Sequence, residues 1–154
     1  IPKASLERIA QYVGKDPRFG SVAEVEAYLR QVNAPFGKLT DAQWNHLATH
    51  SAVRTDDGRW RLHYDPAIGK AFANAPINDV ALWPVWEPIS CPVLVLRGAE
   101  SDLLSFETVA EMTKRGTAAA AGRVRVEEIA GVGHAPALMA LDQIALVREF
   151  LSGE

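Results

Sequence analysis

Two side chains in the second half of the sequence have the types and the surroundings of an acid–base pair. Asp102 follows an apolar run at residues 93–96 and a glycine at position 98, and His134 lies in the glycine-rich segment 130–136. A carboxylate that orients a histidine makes two thirds of a nucleophile–histidine–acid triad. In such a triad the histidine carries the proton and the carboxylate fixes its tautomer. The pair therefore predicts triad chemistry, provided that the fold brings the two side chains together.

The elements that would position this pair are two strands and a helix. Residues 93–96 are apolar at four consecutive positions, so both faces of that strand are expected to be buried, as in a parallel sheet. Residues 124–129 predict a second strand, and residues 137–151 predict a long amphipathic helix that closes the chain. If the two strands are parallel neighbours, the loops that carry Asp102 and His134 emerge at the same edge of the sheet.

Each candidate also has an ordinary structural explanation. Asp102 could simply accept hydrogen bonds from its own loop, as aspartates after strands often do, and His134 could be a turn histidine between small residues. Glu100, two positions before Asp102, is an alternative acid. The residues alone leave these alternatives open.

A nucleophile is not evident in the sequence. A catalytic serine on a nucleophile elbow lies in the pattern G-x-S-x-G, which presents its hydroxyl on a sharp strand-to-helix turn. Ser101 is close to the predicted site but belongs to the same turn as Asp102. The serines that lack the pattern are Ser5, Ser21, Ser51, Ser90, Ser101, Ser105 and Ser152.

Residues 91–151, with the strings PVLVLRGAESD and GVGHAP, resemble the closing part of the α/β-hydrolase fold. The resemblance implies that Asp102 is the acid and His134 the base of a triad. The first 90 residues resemble, more loosely, the helical cap that such enzymes insert before this strand. The expected fold is thus α/β, a partial α/β-hydrolase core of two C-terminal parallel strands with flanking helices, plus a mainly helical cap segment. Residues 1–80 form the cap-like segment with a short hairpin, and residues 81–154 form the core part.

The resemblance also implies a function. The family carries its oxyanion loop and nucleophile elbow before the cap, so we expect this chain to be a C-terminal fragment that is inactive alone. With a serine nucleophile the substrate is expected to be a small ester, amide, lactone or carbon–carbon bond, and with an aspartate an epoxide or haloalkane. No cofactor is implied. The alternative is a non-catalytic binding or interaction module on a hydrolase scaffold.

Composition excludes several other classes of function. A net charge of −3 and an isoelectric point near 5.8 argue against a nucleic-acid partner. No apolar run approaches the about 18 residues of a membrane span, and no signal-peptide pattern is present, which predicts a soluble cytoplasmic chain. His46 and His50 have metal-ligand spacing but lack the glutamate of H-E-x-x-H and an obvious third ligand, so no metal site is predicted. The single Cys91 is expected to be a small core residue.

The predicted core has too few elements to cover itself. Two parallel strands leave exposed faces and edges, and an apolar edge promotes pairing with other chains. We therefore expect this chain alone to be dimeric, swapped or aggregation-prone, unless an N-terminal half of the fold covers the sheet. The other expected partner is a small-molecule substrate.

Overall fold

The computed structural model describes residues 1–73 and 76–153, and it divides the chain into two compact units. The helical unit contains residues 3–34 and 39–78. The sheet unit contains residues 1–2, 35–38 and 79 onward. The segment 35–38 therefore belongs to the same unit as the predicted acid–base pair, although it lies far from it in sequence.

The helical unit is built from short helices and one antiparallel hairpin. Its elements are α1 (Lys3–Ala10), α2 (Val22–Val32), α3 (Asp41–Ser51), β1 (Ala52–Arg54), β2 (Trp60–Leu62) and α4 (Lys70–Ala73), with a 3₁₀ turn at Pro66–Gly69. A second 3₁₀ turn, Ala34–Phe36, lies between α2 and α3 in sequence, and its last two residues belong to the sheet unit. The core consists of buried residues from α2, α3 and the segment before α2, namely Phe19, Val25, Leu29, Trp44 and Ala48. Burying such apolar side chains is the main favourable term for this unit.

Side-chain caps fix where α2 and α3 begin. The sequence Ser21-Val22-Ala23-Glu24 predicts a capping box, and the Ser21 hydroxyl accepts a hydrogen bond from the Glu24 amide. The Glu24 carboxylate accepts from the Gly20 amide at 2.8 Å, whereas the predicted box would join it to the amide of Ser21. Thr40 and Gln43 form a complete capping box, in which each side chain accepts a hydrogen bond from the other's backbone amide. The patterns at residues 21–24 and 40–43 predict a helix start after Ser21 and after Thr40, and both starts are confirmed. Each cap satisfies amides that the helix itself leaves unpaired.

A tight turn at Thr55–Gly58 closes the hairpin between β1 and β2. Gly58 has φ 82°, a conformation that glycine adopts at little cost, and its amide donates to the Thr55 carbonyl at 2.9 Å. Asp57 accepts hydrogen bonds from the Thr55 hydroxyl and from Arg59. These donors, the hydroxyl first, lower the pKa of Asp57 from 3.8 to about 2. The pair Asp57-Gly58 is typical of such a turn, and the short hairpin predicted within residues 1–80 is confirmed.

The sheet unit contains a two-stranded parallel sheet and short helices. Its elements are α5 (Trp83–Trp86), β3 (Val93–Gly98), α6 (Phe106–Met112), α7 (Thr117–Ala120), β4 (Val124–Ile129) and α8 (Leu141–Ser152). Strand β3 pairs with β4 in parallel, from Val93 opposite Val124 to Gly98 opposite Ile129. The predicted α/β fold class and the parallel pairing are confirmed. The assignment of residues 1–80 as a cap and 81–154 as a core stays a prediction.

Three details differ from the sequence-based expectation. The closing helix begins at Leu141 and not near residue 137, because the chain turns at Leu138, which has φ 54°. The position of Ser5 just before Leu6 and the apolar residues at helical spacing predicts a helix cap, but Ser5 lies inside α1 and is buried. Cys91 is exposed and is not part of the core, because it lies two residues before the start of β3 at Val93.

One face of α8 leaves large apolar side chains exposed to solvent. Leu141 is 85% exposed and Leu151 76% exposed. An open apolar groove of about 600 Å³ runs along this face, lined by Leu138, Ile144, Val147, Arg148, Leu151 and Ser152. Among the described residues, no helix is both long enough and apolar enough to span a membrane. An apolar patch of this kind is typical of a surface that another protein segment covers.

Candidate active site

The carboxyl ends of β3 and β4 bring two loops together. Beyond the last paired residues, the Ala99 amide donates to the Ile129 carbonyl at 2.8 Å, and the Glu100 amide donates to the Val132 carbonyl at 2.9 Å. The loop after β3 therefore stays bonded to the loop after β4 for two more positions. The parallel register thus places the segments that contain Asp102 and His134 side by side at one edge, as the sequence predicted.

Gly98 allows the two loops to approach this closely. A Cβ atom at position 98 would lie 1.8 Å from the Gly133 carbonyl oxygen and 2.4 Å from the Val132 carbonyl oxygen. Only a residue without a side chain fits against backbone at such a distance. The end of β3 is therefore in direct backbone contact with the residue that precedes His134.

The loop before His134 is also fixed from its other side by Pro35. The Gly133 amide donates to the Pro35 carbonyl at 2.7 Å, and a Cβ atom on Gly133 would lie 2.6 Å from the Pro35 Cβ. Gly133 and Val132 are both buried. The backbone that carries His134 is thus held between β3 and the segment 35–38, and it needs glycine at position 133.

The imidazole of His134 contacts the residue next to the predicted acid. Its Nδ1 atom lies 3.3 Å from the Oγ atom of Ser101, while the His134 side chain as a whole is exposed. Asp102 lies at the bend that follows Ser101 and is exposed. The described contact of Nδ1 is with Ser101, so the hydrogen bond from His134 to Asp102 stays a prediction. The role of Glu100 as the alternative acid is also untested, although its amide helps to join the loops.

Arg97 braces the loop that carries Asp102. Its side chain is only 10% exposed, and its guanidinium donates to the Ala99 carbonyl at 3.2 Å and to the Leu104 carbonyl at 2.9 Å. The same group forms an ion pair with Glu128 of β4. A planar guanidinium has five donors in a fixed geometry, so one side chain can hold both ends of a short loop. Sequence analysis missed this residue, although a cation at the end of a buried strand is itself a signal that partners exist.

The negative charge at the start of α6 is stabilised by the helix itself. Ser105 caps α6 and accepts a hydrogen bond from the Thr108 amide at 3.1 Å. The backbone amide of Glu107, followed by the Ser105 hydroxyl and the more distant charge of Arg97, lowers the pKa of the Glu107 carboxyl. The helix that follows the acid loop is therefore fixed at its first turn.

The two histidines of α3 lie next to each other, with ring centroids 4.3 Å apart. Within residues 1–73 and 76–153, no group of three or more histidine, cysteine or acidic side chains is arranged to hold a metal ion. His46 and His50 are both exposed. Structural metal sites ordinarily need four ligands and catalytic ones three, so this pair supports no metal chemistry by itself.

Comparison with known proteins finds relatives along the whole chain. No protein-family model matches the sequence. The chain is 41% identical over 161 aligned positions to the 3-hydroxybutyrate-oligomer hydrolase of Cupriavidus necator, an alignment that covers 99% of this chain and 53% of that protein. The chain therefore spans about half the length of this relative.

Two solved structures are similar to nearly the whole of this chain and to about half of their own length. A candidate hydrolase from Rickettsia typhi is 31% identical, with a TM-score of 0.85, and the match covers 100% of this chain and 50% of that one. An α/β hydrolase from Novosphingobium aromaticivorans is 29% identical, with a TM-score of 0.77, over 97% of this chain and 52% of that one. In both cases the match covers the residues of the sheet unit and those of the helical unit.

Proposed function

Since this chain has the fold of the C-terminal half of an α/β-hydrolase, we propose that it supplies the acid and the histidine of a hydrolytic triad. The observation that carries the proposal is the joining of the loops after β3 and β4, which brings His134 next to the Ser101–Asp102 turn. The 41% identity to a hydrolase over 99% of the chain supports the same assignment. The nucleophile and the oxyanion hole would come from a preceding half of the fold.

The proposed roles follow from the chemistry of the two side chains. His134 takes the proton of the nucleophile as it attacks the carbonyl carbon of the substrate, and gives that proton to the departing alcohol. In the second step His134 takes a proton from water, which attacks the acyl group, and gives that proton to the oxygen of the nucleophile as the acyl–enzyme bond breaks and the acid product leaves. Asp102 is the carboxylate that fixes the histidine tautomer and stabilises its charged form. With a serine nucleophile these steps hydrolyse an ester.

The substrate class that we propose first is an ester of a short hydroxy acid. The Cupriavidus relative is named for 3-hydroxybutyrate oligomers, whose repeating bond is an ester. The chemistry of the triad suits such a bond, because the alcohol leaving group needs one proton and His134 can deliver it. Small amides, lactones and carbon–carbon bonds remain the next classes to assay, with epoxides and haloalkanes if the nucleophile is an aspartate.

The experiment that tests this function begins with the coding sequence upstream of Ile1. A strand-like run into G-x-S-x-G would supply the nucleophile, and an aspartate at that position would indicate epoxide or halide chemistry. The protein translated from the whole reading frame is then assayed with 3-hydroxybutyrate dimers and trimers. We expect His134→Ala and Asp102→Asn to lower kcat by about 10³-fold or more.

Two results would contradict the proposal. A protein with the elbow that keeps its activity in both variants would show that these residues are not the base and the acid. A reading frame with no nucleophile would favour the non-catalytic binding module. As a matched control, Asp142→Asn removes a carboxylate from the first turn of α8 and should leave kcat unchanged.

The 154-residue chain alone is proposed to be inactive. It contains no serine in an elbow context, and the covalent step needs both a nucleophile and oxyanion donors. Assay of the purified chain with an activated ester such as p-nitrophenyl acetate should give no turnover above that of free imidazole at the same concentration. Rapid turnover that His134→Ala abolishes would refute this part of the proposal.

A further inference from the structure

Ser101 is a buried serine whose hydroxyl has two described contacts. Its side chain belongs to a residue that is only 9% exposed, between two exposed acidic residues. Its Oγ accepts a hydrogen bond from the Leu104 amide at 3.0 Å, and it lies 3.3 Å from Nδ1 of His134. Its own amide donates to the Gly98 carbonyl at 3.0 Å. The oxygen is therefore fixed by backbone on one side and meets the imidazole on the other.

The Ser101 hydroxyl is suited to accept a hydrogen bond from the imidazole. It has one hydrogen and two lone pairs, and the Leu104 amide occupies one lone pair. A histidine that takes a proton on Nε2 carries a hydrogen on Nδ1 both before and after that transfer. The second lone pair of Ser101 can accept from this hydrogen in both states, so the hydroxyl can hold the ring of His134 throughout the proton transfer.

We propose that Ser101 is a positioning residue, which orients the imidazole of His134 through Nδ1 and shares that nitrogen with the predicted acid, Asp102. The inference rests on the proposed function, since it concerns the residue that would act as the base. Orientation of a general base matters for rate because a misplacement of about 1 Å can cost about 10²-fold. Ser101 does not act as a nucleophile here, because it is buried and faces Nδ1 within the acid loop.

The chain offers a matched control for this proposal. Ser105 has the same kind of local hydrogen bond, from its Oγ to the amide three positions later, but it caps α6. Its hydroxyl bonds to Thr108 and to the Glu107 carboxyl, which both lie in the first turn of α6. Ser101→Ala and Ser105→Ala therefore each remove one backbone-accepting hydroxyl, and only the first removes a contact to His134. Ser101→Thr keeps the hydroxyl and serves as the conservative variant.

The first readout is the ¹⁵N resonance of Nδ1 of His134 in the 154-residue chain, assigned by comparison with His134→Ala. The chemical shift of this resonance responds to the hydrogen bond at that nitrogen, and all variants are compared at the same pH. We expect Ser101→Ala to shift the Nδ1 resonance, and Ser101→Thr and Ser105→Ala to leave it near the wild-type position. An unchanged resonance in Ser101→Ala, or an equal shift in Ser105→Ala, would overturn the inference.

The second readout is hydrolysis by the protein from the whole reading frame. We expect Ser101→Ala to lower kcat by about 3- to 30-fold with little change in KM, and Ser101→Thr to restore most of kcat. Unchanged kcat together with a shifted Nδ1 resonance would overturn the positioning role. If the wild-type protein hydrolyses none of the esters while the resonance shifts as expected, the proposed function fails and the Ser101–His134 contact stands.

Discussion

The contact of Gly98 with the His134 loop gives the sharpest test of how the site is built. Gly98→Ala would place a Cβ atom 1.8 Å from the Gly133 carbonyl oxygen. Cβ atoms in proteins essentially never come closer than 3.0 Å to such an atom. The obstacle is backbone on both sides, so no side-chain rotation can relieve it. The two loops would have to separate by about 1.2 Å, which a close-packed interior resists.

The size of the effect follows from what that separation breaks. Overpacking of a buried site typically costs about 1–3 kcal/mol. A shift of this size also stretches the hydrogen bond from the Glu100 amide to the Val132 carbonyl, now 2.9 Å, beyond the range of a good bond, at about 0.5–1.5 kcal/mol. We therefore expect Gly98→Ala to lower the free energy of unfolding by about 2–4 kcal/mol.

The assay combines a global and a local measurement. With an m-value of about 2 kcal/mol/M, the urea midpoint should fall by about 1–2 M. The Glu100 amide should exchange with solvent faster in the variant, because its acceptor has moved. In the protein from the whole reading frame, kcat should fall by about 10²-fold, since the loop of His134 moves relative to that of Asp102.

Gly20→Ala is the matched control. Like Gly98, Gly20 does not have a positive φ, and a Cβ at position 20 would meet the carboxylate end of Glu24 at 3.0 Å. That end is flexible and can move, so we expect a change below about 0.5 kcal/mol. A Gly98→Ala variant as stable as the Gly20→Ala control, with an equally protected Glu100 amide, would refute the reasoning.

Three further predictions concern the loop brace, the hairpin and the exposed helix face. Arg97→Met removes three hydrogen-bonded contacts at once and should cost about 1–3 kcal/mol of unfolding free energy, against less than about 1 kcal/mol for the more exposed Arg115→Met; equal urea midpoints would contradict the brace. The carboxyl of Asp57 has a pKa below its ordinary value, so it contributes stability above pH 3.8 that is lost as pH falls through about 2. In Asp57→Asn the stability of the hairpin should therefore depend less on pH between about 4 and 2. The same loss of hairpin NMR signals with falling pH in the variant and the wild type would count against this. The 154-residue chain should self-associate in analytical ultracentrifugation, and Leu141→Lys should weaken that association; a stable wild-type monomer would show that the apolar face needs no cover.

The sequence by itself determined the elements whose signals are local. Strand β3 is predicted from four consecutive apolar residues, the pattern typical of a strand in a parallel sheet, although in the structure of this chain only Val95 and Gly98 of β3 are buried and its other residues are partly exposed. The start of α3 follows from the capping box of Thr40 and Gln43, and the hairpin from Asp57-Gly58, because these residue types set backbone conformation within a few positions. Local chemistry also placed His134 and Asp102 in loops after strands.

Tertiary structure decided which groups meet. Ser101 and His134 are far apart in sequence, and their contact depends on the parallel register of β3 and β4 and on how closely Gly98 lets the loops approach. Pro35, almost 100 positions earlier in the sequence, accepts a hydrogen bond from the His134 loop. No motif or residue spacing in the sequence predicts this contact. Arg97 braces the acid loop by donating to backbone carbonyl groups. Because every residue has such a carbonyl, the residue types in the loop do not reveal which ones Arg97 contacts. Contacts of this kind are set by the packing of distant backbone, so a pattern of residue types alone does not reveal them.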